Sequence, residues 1–173
     1  QQDNAGHEKR GGGGERHAEY ADRCTCIAKS KGKPAKTANQ ADEDTPVEAG
    51  LAFAVAWDKP GGFIGREALL RQREEGPRQR LVKFKLSDPE KLLYHNEPIW
   101  RDGVIVGYLR SGSYGHTLGA AVGLGYVHDP AGGVVDAGFV EAGSYTIEVA
   151  CEQVAATASL RPMYDPKNLR IRA

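Results

Sequence analysis

The sequence is poor in several features that would point directly to a class of protein. Its 173 residues include only three cysteines, with Cys24 and Cys26 one residue apart, too few for a disulfide scaffold. No apolar run approaches the roughly 20 residues that span a bilayer. The 23 basic side chains balance the 23 acidic ones, so no net charge draws the chain to an acidic partner. We therefore expect neither nucleic acid nor a membrane as a partner.

Large apolar side chains are almost missing from the first quarter of the chain. Between residues 1 and 44 only Tyr20 and Ile27 are of this kind, and four glycines stand in a row at 11–14. Such a segment cannot bury enough apolar surface to offset the roughly 1–2 kcal/mol per residue of backbone entropy that ordering costs. We predict a disordered polar tail over 1–44. Because Cys24 and Cys26 lack the spacing of a zinc knuckle, we assign no metal to it.

Apolar periodicity begins at residue 45. Alternation over 51–57 predicts a strand, and helical spacing over 63–73 ends at Gly76 and Pro77. Short strand-like runs separated by turn residues then recur at 81–86, 97–100, 104–109, 120–127, 138–140, 145–150 and 154–160. Asp102-Gly103 between two of these runs is a strong hairpin signal. The pattern predicts a mainly β protein built on a compact barrel or sandwich.

Glu48 is the most informative charged residue, because it stands immediately before an apolar segment. A carboxylate entering a packed region costs several kcal/mol unless it is paired or hydrogen-bonded. It either accepts N–H donors from a flat heteroaromatic ligand, or is an exposed carboxylate on the loop, or staples a helix N-terminus. The chemistry of the residue leaves these alternatives open.

Aromatic side chains cluster around the predicted turns of the barrel. Tyr94 lies between two strands, and Tyr108, Tyr114 and His116 surround the following turn. Such residues at a barrel mouth suit stacking on a ring system, and they also suit ordinary turn packing. No nucleophile, base and acid fall into a recognisable catalytic arrangement, so we assign no catalytic residue.

Three stretches carry a family resemblance. They are TPVEAGL at 45–51, FIGREAL at 63–69, and EPIWRDG at 97–103, which runs on through SYGHTLG at 113–119 to GLGYV at 123–127. In order and spacing they resemble the C-terminal region of the glycine-cleavage T-protein (aminomethyltransferase) superfamily. The third stretch is most similar to the flavin-linked branch of dimethylglycine and sarcosine dehydrogenase-like proteins.

The resemblance implies a domain organisation. Residues 45–76 would be the end of the folate-binding domain, a strand plus a helix, and 80–173 would be the C-terminal six-stranded aminomethyltransferase-type β-barrel with an extended tail. It also implies that the parent protein transfers a one-carbon unit from a small methylated amine to tetrahydrofolate, with FAD on an N-terminal domain absent here. A cytoplasmic location is implied, or a mitochondrial one in a eukaryote.

The resemblance also assigns residues. Glu48 would accept hydrogen bonds from the pterin edge of folate, and Tyr94 stands where the T-protein branch tends to place an arginine that faces folate. Tyr108, Tyr114 and His116 belong to the matching barrel stretch and are assigned to folate binding with them. The family's catalytic aspartate lies upstream of any match, so we expect a C-terminal fragment that is inactive alone. The alternative is a non-catalytic folate-binding or regulatory module that acts on a protein partner.

Overall fold

The computed structural model describes residues 44–170 and 172, which are mainly β. A 3₁₀ turn at Ala52–Ala54 and helix α1 at Arg66–Glu75 precede the first strand, and a short helix α2 at Ala137–Ala142 follows the fourth. The strands are β1 Gln79–Leu86, β2 Pro98–Arg101, β3 Val104–Gly115, β4 Ala120–His128, β5 Tyr145–Val149 and β6 Glu152–Ser159. Apart from Asp44, the predicted tail lies outside the described residues.

The six strands form a closed antiparallel barrel. They lie side by side in the order β1-β4-β3-β2-β5-β6, and β6 pairs with β1 to complete the ring. Closure gives both sides of every strand a hydrogen-bonded neighbour, so the sheet has no free edge. The six-stranded barrel expected from the sequence is confirmed.

Alternate residues of the strands fill the barrel interior. On β1 the side chains of Val82, Phe84 and Leu86 are fully buried, and the residues between them face outward. The ring of Phe84 meets the ring of Tyr145 on β5 edge to face, with centroids 5.6 Å apart. The outer face of β1 therefore carries Leu81, Lys83 and Lys85.

The hairpin between β2 and β3 forms where the sequence predicts it. Asp102 has φ 51° and Gly103 has φ 83°, the left-handed values that a two-residue turn of this kind requires. Further along, the register of β3 against β4 shifts between Leu109 and Ser111, so β3 carries a bulge at Arg110. Beyond the bulge β3 runs on to Gly115, well past the predicted end of the strand at 109.

One predicted strand, at 51–57, is wrong. The segment contains the 3₁₀ turn, and its amide groups bond locally: the N–H of Ala54 donates to the carbonyl of Leu51 over 2.9 Å. A strand needs a neighbouring strand for its hydrogen bonds, and no strand of the described range lies beside this one. The apolar alternation therefore leaves Phe53 84% exposed.

A second predicted strand, at 138–140, is also wrong, because these residues lie in α2. The Asp136 side chain accepts a hydrogen bond of 2.7 Å from the N–H of Phe139 and thereby caps the start of that helix. A run of three residues is too short for its period to separate strand from helix. The predicted helix at 63–73 is confirmed as α1, although it begins only after Gly65.

Candidate functional site

Glu48 lies in a tight turn at 46–50 that reciprocal hydrogen bonds with Thr45 hold in place. The N–H of Glu48 donates to Thr45 Oγ1 over 3.2 Å, and the N–H of Thr45 donates to Glu48 Oε2 over 3.0 Å. This is a capping box, in which a threonine and a glutamate three residues apart satisfy each other's amide groups. The local staple, one of the alternatives that the sequence leaves open for Glu48, is therefore present.

The carboxylate of Glu48 is nevertheless only partly used by this turn. The side chain is 9% exposed, and Oε2 also receives the Thr45 hydroxyl at 3.1 Å, while that hydroxyl stands 2.6 Å from Gln72 Oε1 on α1. No described residue donates a hydrogen bond to Glu48 Oε1. The result is a carboxylate held in a fixed orientation with one oxygen left to accept another donor.

Tyr126 on β4 borders the same turn. Leu81, its register partner on β1, donates its N–H to the carbonyl of Glu48 over 2.9 Å. Burial and then the negative charges of Asp44 and Glu48 raise the pKa of Tyr126 to about 12, and the positive charge of Arg110 opposes them. We call Asp44, Thr45, Glu48, Gln72 and Tyr126 the Glu48 cluster.

Tyr108 is the one predicted aromatic residue that lies beside this cluster. It is the register partner of Tyr126 on β3, and it stands exposed on the outer face of the barrel. Arg110, two residues further along β3, places its guanidinium carbon 5.6 Å from the centroid of the Tyr126 ring. Tyr126 is thus flanked by one further phenol ring, that of Tyr108, and by one cation, Arg110.

The other predicted aromatic residues lie elsewhere. Tyr114 and His116 stack edge to face, with centroids 5.2 Å apart, at the far end of β3. Six residues of extended strand separate Tyr108 from Tyr114, which corresponds to roughly 20 Å. Tyr94 is 67% exposed on the loop between β1 and β2, and its N–H donates to Glu97 Oε1 over 2.8 Å. The structure therefore places Tyr108 beside Tyr126 of the Glu48 cluster, and Tyr114 and His116 at the other end of β3.

Sequence reasoning missed most of the Glu48 cluster. The Thr-x-x-Glu pattern at 45–48 is a capping-box signature that could have identified Thr45 as the partner of Glu48. No comparable sequence pattern identifies Gln72 or Tyr126, because the fold brings them to the turn from distant parts of the chain. Asp44, which the sequence assigned to the tail, belongs with the folded part by its effect on Tyr126.

Two further observations concern metals and membranes. In the range that the structure describes, no three histidine, cysteine or acidic side chains group closely enough to hold a metal ion. The Cys24 and Cys26 pair lies outside that range. Among the described helices, none combines the length and the apolar character that crossing a bilayer requires.

A closed six-stranded antiparallel barrel behind a short helix defines a class of small β domains. Within that class, the family model of the glycine cleavage T-protein C-terminal barrel domain matches residues 79–165, about half of the chain. The chain belongs to this family, and the resemblance inferred from the sequence is confirmed.

Curated relatives extend the similarity upstream of the barrel. Human mitochondrial sarcosine dehydrogenase is 41% identical over 130 residues, which are 75% of this chain and 14% of that protein. The formaldehyde-forming 4-methylaminobutanoate oxidase of Paenarthrobacter nicotinovorans is 40% identical over 129 residues, 75% of this chain and 15% of the oxidase. The mitochondrial regulatory subunit of pyruvate dehydrogenase phosphatase from Mus musculus is 38% identical over 128 residues, 69% of this chain and 15% of the subunit.

A solved structure supports the fold independently. The crystal structure of the glycine cleavage system aminomethyltransferase T from Bartonella henselae superposes with a TM-score of 0.55 at 25% identity. The superposition covers 67% of this chain and 31% of that one. The chain thus spans about a seventh of the length of the dehydrogenase and oxidase relatives, and under a third of this solved chain.

Proposed function

We propose that this chain is the folate-side barrel region of an enzyme that transfers a one-carbon unit from a small methylated amine to tetrahydrofolate. The family, and the activities for which its relatives are named, support the reaction class. For the chain itself, the observation that carries the proposal is the orientation of Glu48, whose Oε2 is occupied by Thr45 and whose Oε1 is not used by any described residue.

The chemistry of the Glu48 cluster fits one edge of a pterin. A pterin presents neighbouring N–H donors in the plane of a flat ring, and a carboxylate is the natural acceptor for such donors. Glu48 would accept them through Oε1, while the rings of Tyr108 and Tyr126 border the same surface. The capping box removes rotational freedom from Glu48 before the ligand arrives, which lowers the entropic cost of binding.

The remaining assignments are extensions of this proposal. Tyr94, Tyr114 and His116 would contact folate only if the ligand reached beyond the Glu48 cluster along β3. FAD, which would oxidise the amine, has no fitting residues in this sequence, because no Gly-x-Gly-x-x-Gly follows a strand. We derive no redox step for these residues, and the cytoplasmic or mitochondrial location stays a prediction.

The test is the substitution Glu48→Gln in the complete gene product, with equilibrium binding of tetrahydrofolate as the readout. Loss of a charged acceptor for the pterin edge should weaken binding by roughly 1–3 kcal/mol. Asp129→Asn is the matched control, because Asp129 also accepts amide hydrogen bonds within a loop, from Ala131 and Gly133. Equal folate affinity of the two variants and the unaltered protein would remove Glu48 from the binding site.

One observation supports a second candidate, a non-catalytic regulatory module. It is the 38% identity with a relative named as a regulatory subunit, nearly as high as the identity with the dehydrogenase. In this role the barrel would offer a surface to a protein partner. If the complete gene product reduces an electron acceptor in the presence of sarcosine, the result favours the enzyme. If it reduces none and Glu48→Gln binds folate as the unaltered protein does, the result favours the module.

A further inference from the structure

A concave site lies on the outer face of the barrel, and none of its lining residues belongs to the Glu48 cluster. It is a cavity of about 440 Å³ between the outer surface of β1, β3 and β4 and the segment that follows β6. Its walls include Lys83, Ser111, Val122, Leu124, Met163 and Tyr164. The volume falls within the range of small-ligand sites, and the walls are mainly apolar with a few polar groups, as such sites usually are.

The wall formed by the C-terminal segment is a structured element. Both carboxylate oxygens of Asp165 accept amide hydrogen bonds, from Leu169 over 2.8 Å and from Arg170 over 3.0 Å. The guanidinium of Arg170 in turn donates to the Tyr164 hydroxyl over 3.0 Å. These contacts fix the loop that carries Met163 and Tyr164. The cavity is therefore bounded by the barrel strands on one side and by this loop on the other.

Lys83 is the one charged residue among the described residues that line the cavity. Lys83 points outward from β1 and donates one hydrogen bond, of 3.1 Å, to the carbonyl of Leu160. An ammonium carries three donors, so two remain for another acceptor. Among the described residues, no carboxylate lies within ion-pair distance of Lys83. Leu124 on β4 is the register partner of both Lys83 on β1 and Ser111 on β3. The Ser111 hydroxyl therefore adds a neutral polar group to the same part of the wall.

We propose that this cavity binds a small aromatic carboxylate, with its ring between Leu124 and Tyr164 and its anionic group on Lys83. The apolar walls favour a flat ring. The Lys83 ammonium, which has no carboxylate partner among the described residues, favours a negative charge over a neutral group of the same shape. The proposal does not depend on the folate role of Glu48, because no residue of the Glu48 cluster lines the cavity.

The experiment compares two fluorinated probes of nearly equal shape, 4-(trifluoromethyl)benzoate and 4-(trifluoromethyl)benzamide, by fluorine NMR titration of the 173-residue chain. The carboxylate should bind about tenfold or more tightly than the amide, because only the carboxylate forms a charge-assisted hydrogen bond with Lys83. Lys83→Gln should abolish this preference and leave the weak affinity for the amide.

Lys85→Gln is the matched control, since Lys85 also faces outward on β1 but does not line the cavity. It should leave both affinities within about twofold of those of the unaltered chain. Leu124→Trp should block both probes by filling the cavity, and amide NMR spectra verify that each variant keeps its fold. Equal binding of carboxylate and amide, an equal effect of the two lysine substitutions, or no saturable binding of either probe would overturn the proposal.

Discussion

At the residue scale, Tyr126 reports on the Glu48 cluster. Burial and then the carboxylates of Asp44 and Glu48 hold its pKa near 12, because a phenolate there would be desolvated and would face negative charge. We expect the absorbance titration of the chain to lose its step near pH 12 in Tyr126→Phe. Asp44→Asn should lower the pKa of Tyr126, and Arg110→Gln should raise it, since the cation opposes the carboxylates.

The same shift has a consequence for stability. An unfolded tyrosine ionises near pH 10. Between pH 10 and about 12 the unfolded chain has released a proton that folded Tyr126 still holds, so the free energy of unfolding must fall as the pH rises through this window. Tyr126→Phe should make that fall shallower in urea unfolding at successive pH values. An equally steep fall in the variant would mean that folding does not raise the pKa of Tyr126.

Glu48 also shows how far single residues can be interpreted from sequence. Its type and its place before an apolar segment leave open whether the carboxylate is hydrogen-bonded or exposed on the loop, and the structure shows it 9% exposed and bonded to Thr45. The identity of the partners depends on α1 and β4, which approach the turn from 24 and 78 residues away. Tyr114 and His116 were grouped with Tyr108 by sequence proximity, and the extended course of β3 separates them instead.

At the scale of elements, the barrel strands were predictable and the segments outside the sheet were less so. Alternation and the Asp102-Gly103 turn identify β2 and β3 because both signals agree with the pairing that the barrel supplies. At 51–57 the same alternation has no neighbouring strand to support it, and the 3₁₀ turn forms. Apolar alternation therefore predicts a strand only where the fold provides a neighbouring strand to pair with it.

Gly112 in β3 gives a test of close packing between elements. A Cβ at this position would lie 2.5 Å from the carbonyl carbon of Leu93 in the loop after β1, a distance that real Cβ atoms do not adopt. We expect Gly112→Ala to lower the free energy of unfolding by about 1–3 kcal/mol in urea denaturation, because either the loop or the strand must move.

Gly138→Ala is the control for this prediction. Gly138 lies in α2 with ordinary space for a Cβ, its nearest neighbour being Asp136 Oδ1 at 3.4 Å. Alanine costs less backbone entropy than glycine in a helix, so this substitution should stabilise the chain by roughly 0.5–1 kcal/mol. If the two variants were destabilised alike, the effect would come from the loss of glycine in general and not from the contact with Leu93.

At the scale of the whole molecule, the barrel buries its large apolar side chains, and the segment before it leaves two of them exposed. The barrel core is continuous from Val82 on β1 to Val154 on β6, whereas Phe53 and Ile64 in the preceding segment are almost fully exposed. Closure of the ring makes β1 and β6 depend on each other, although they share only four register pairs. Stability of the described part should therefore rest on the barrel interior.

A pair of identical substitutions tests this division. Phe84→Ala removes a fully buried ring that contacts Tyr145 across the barrel, and we expect it to cost about 3–5 kcal/mol in chemical unfolding. Phe53→Ala makes the same change at a ring that is 84% exposed, and the expected effect is within about 0.5 kcal/mol. Because the deleted atoms are the same, the difference measures burial alone. Comparable losses would mean that Phe53 is covered in the folded chain, and the segment at 51–64 would then share the barrel's core.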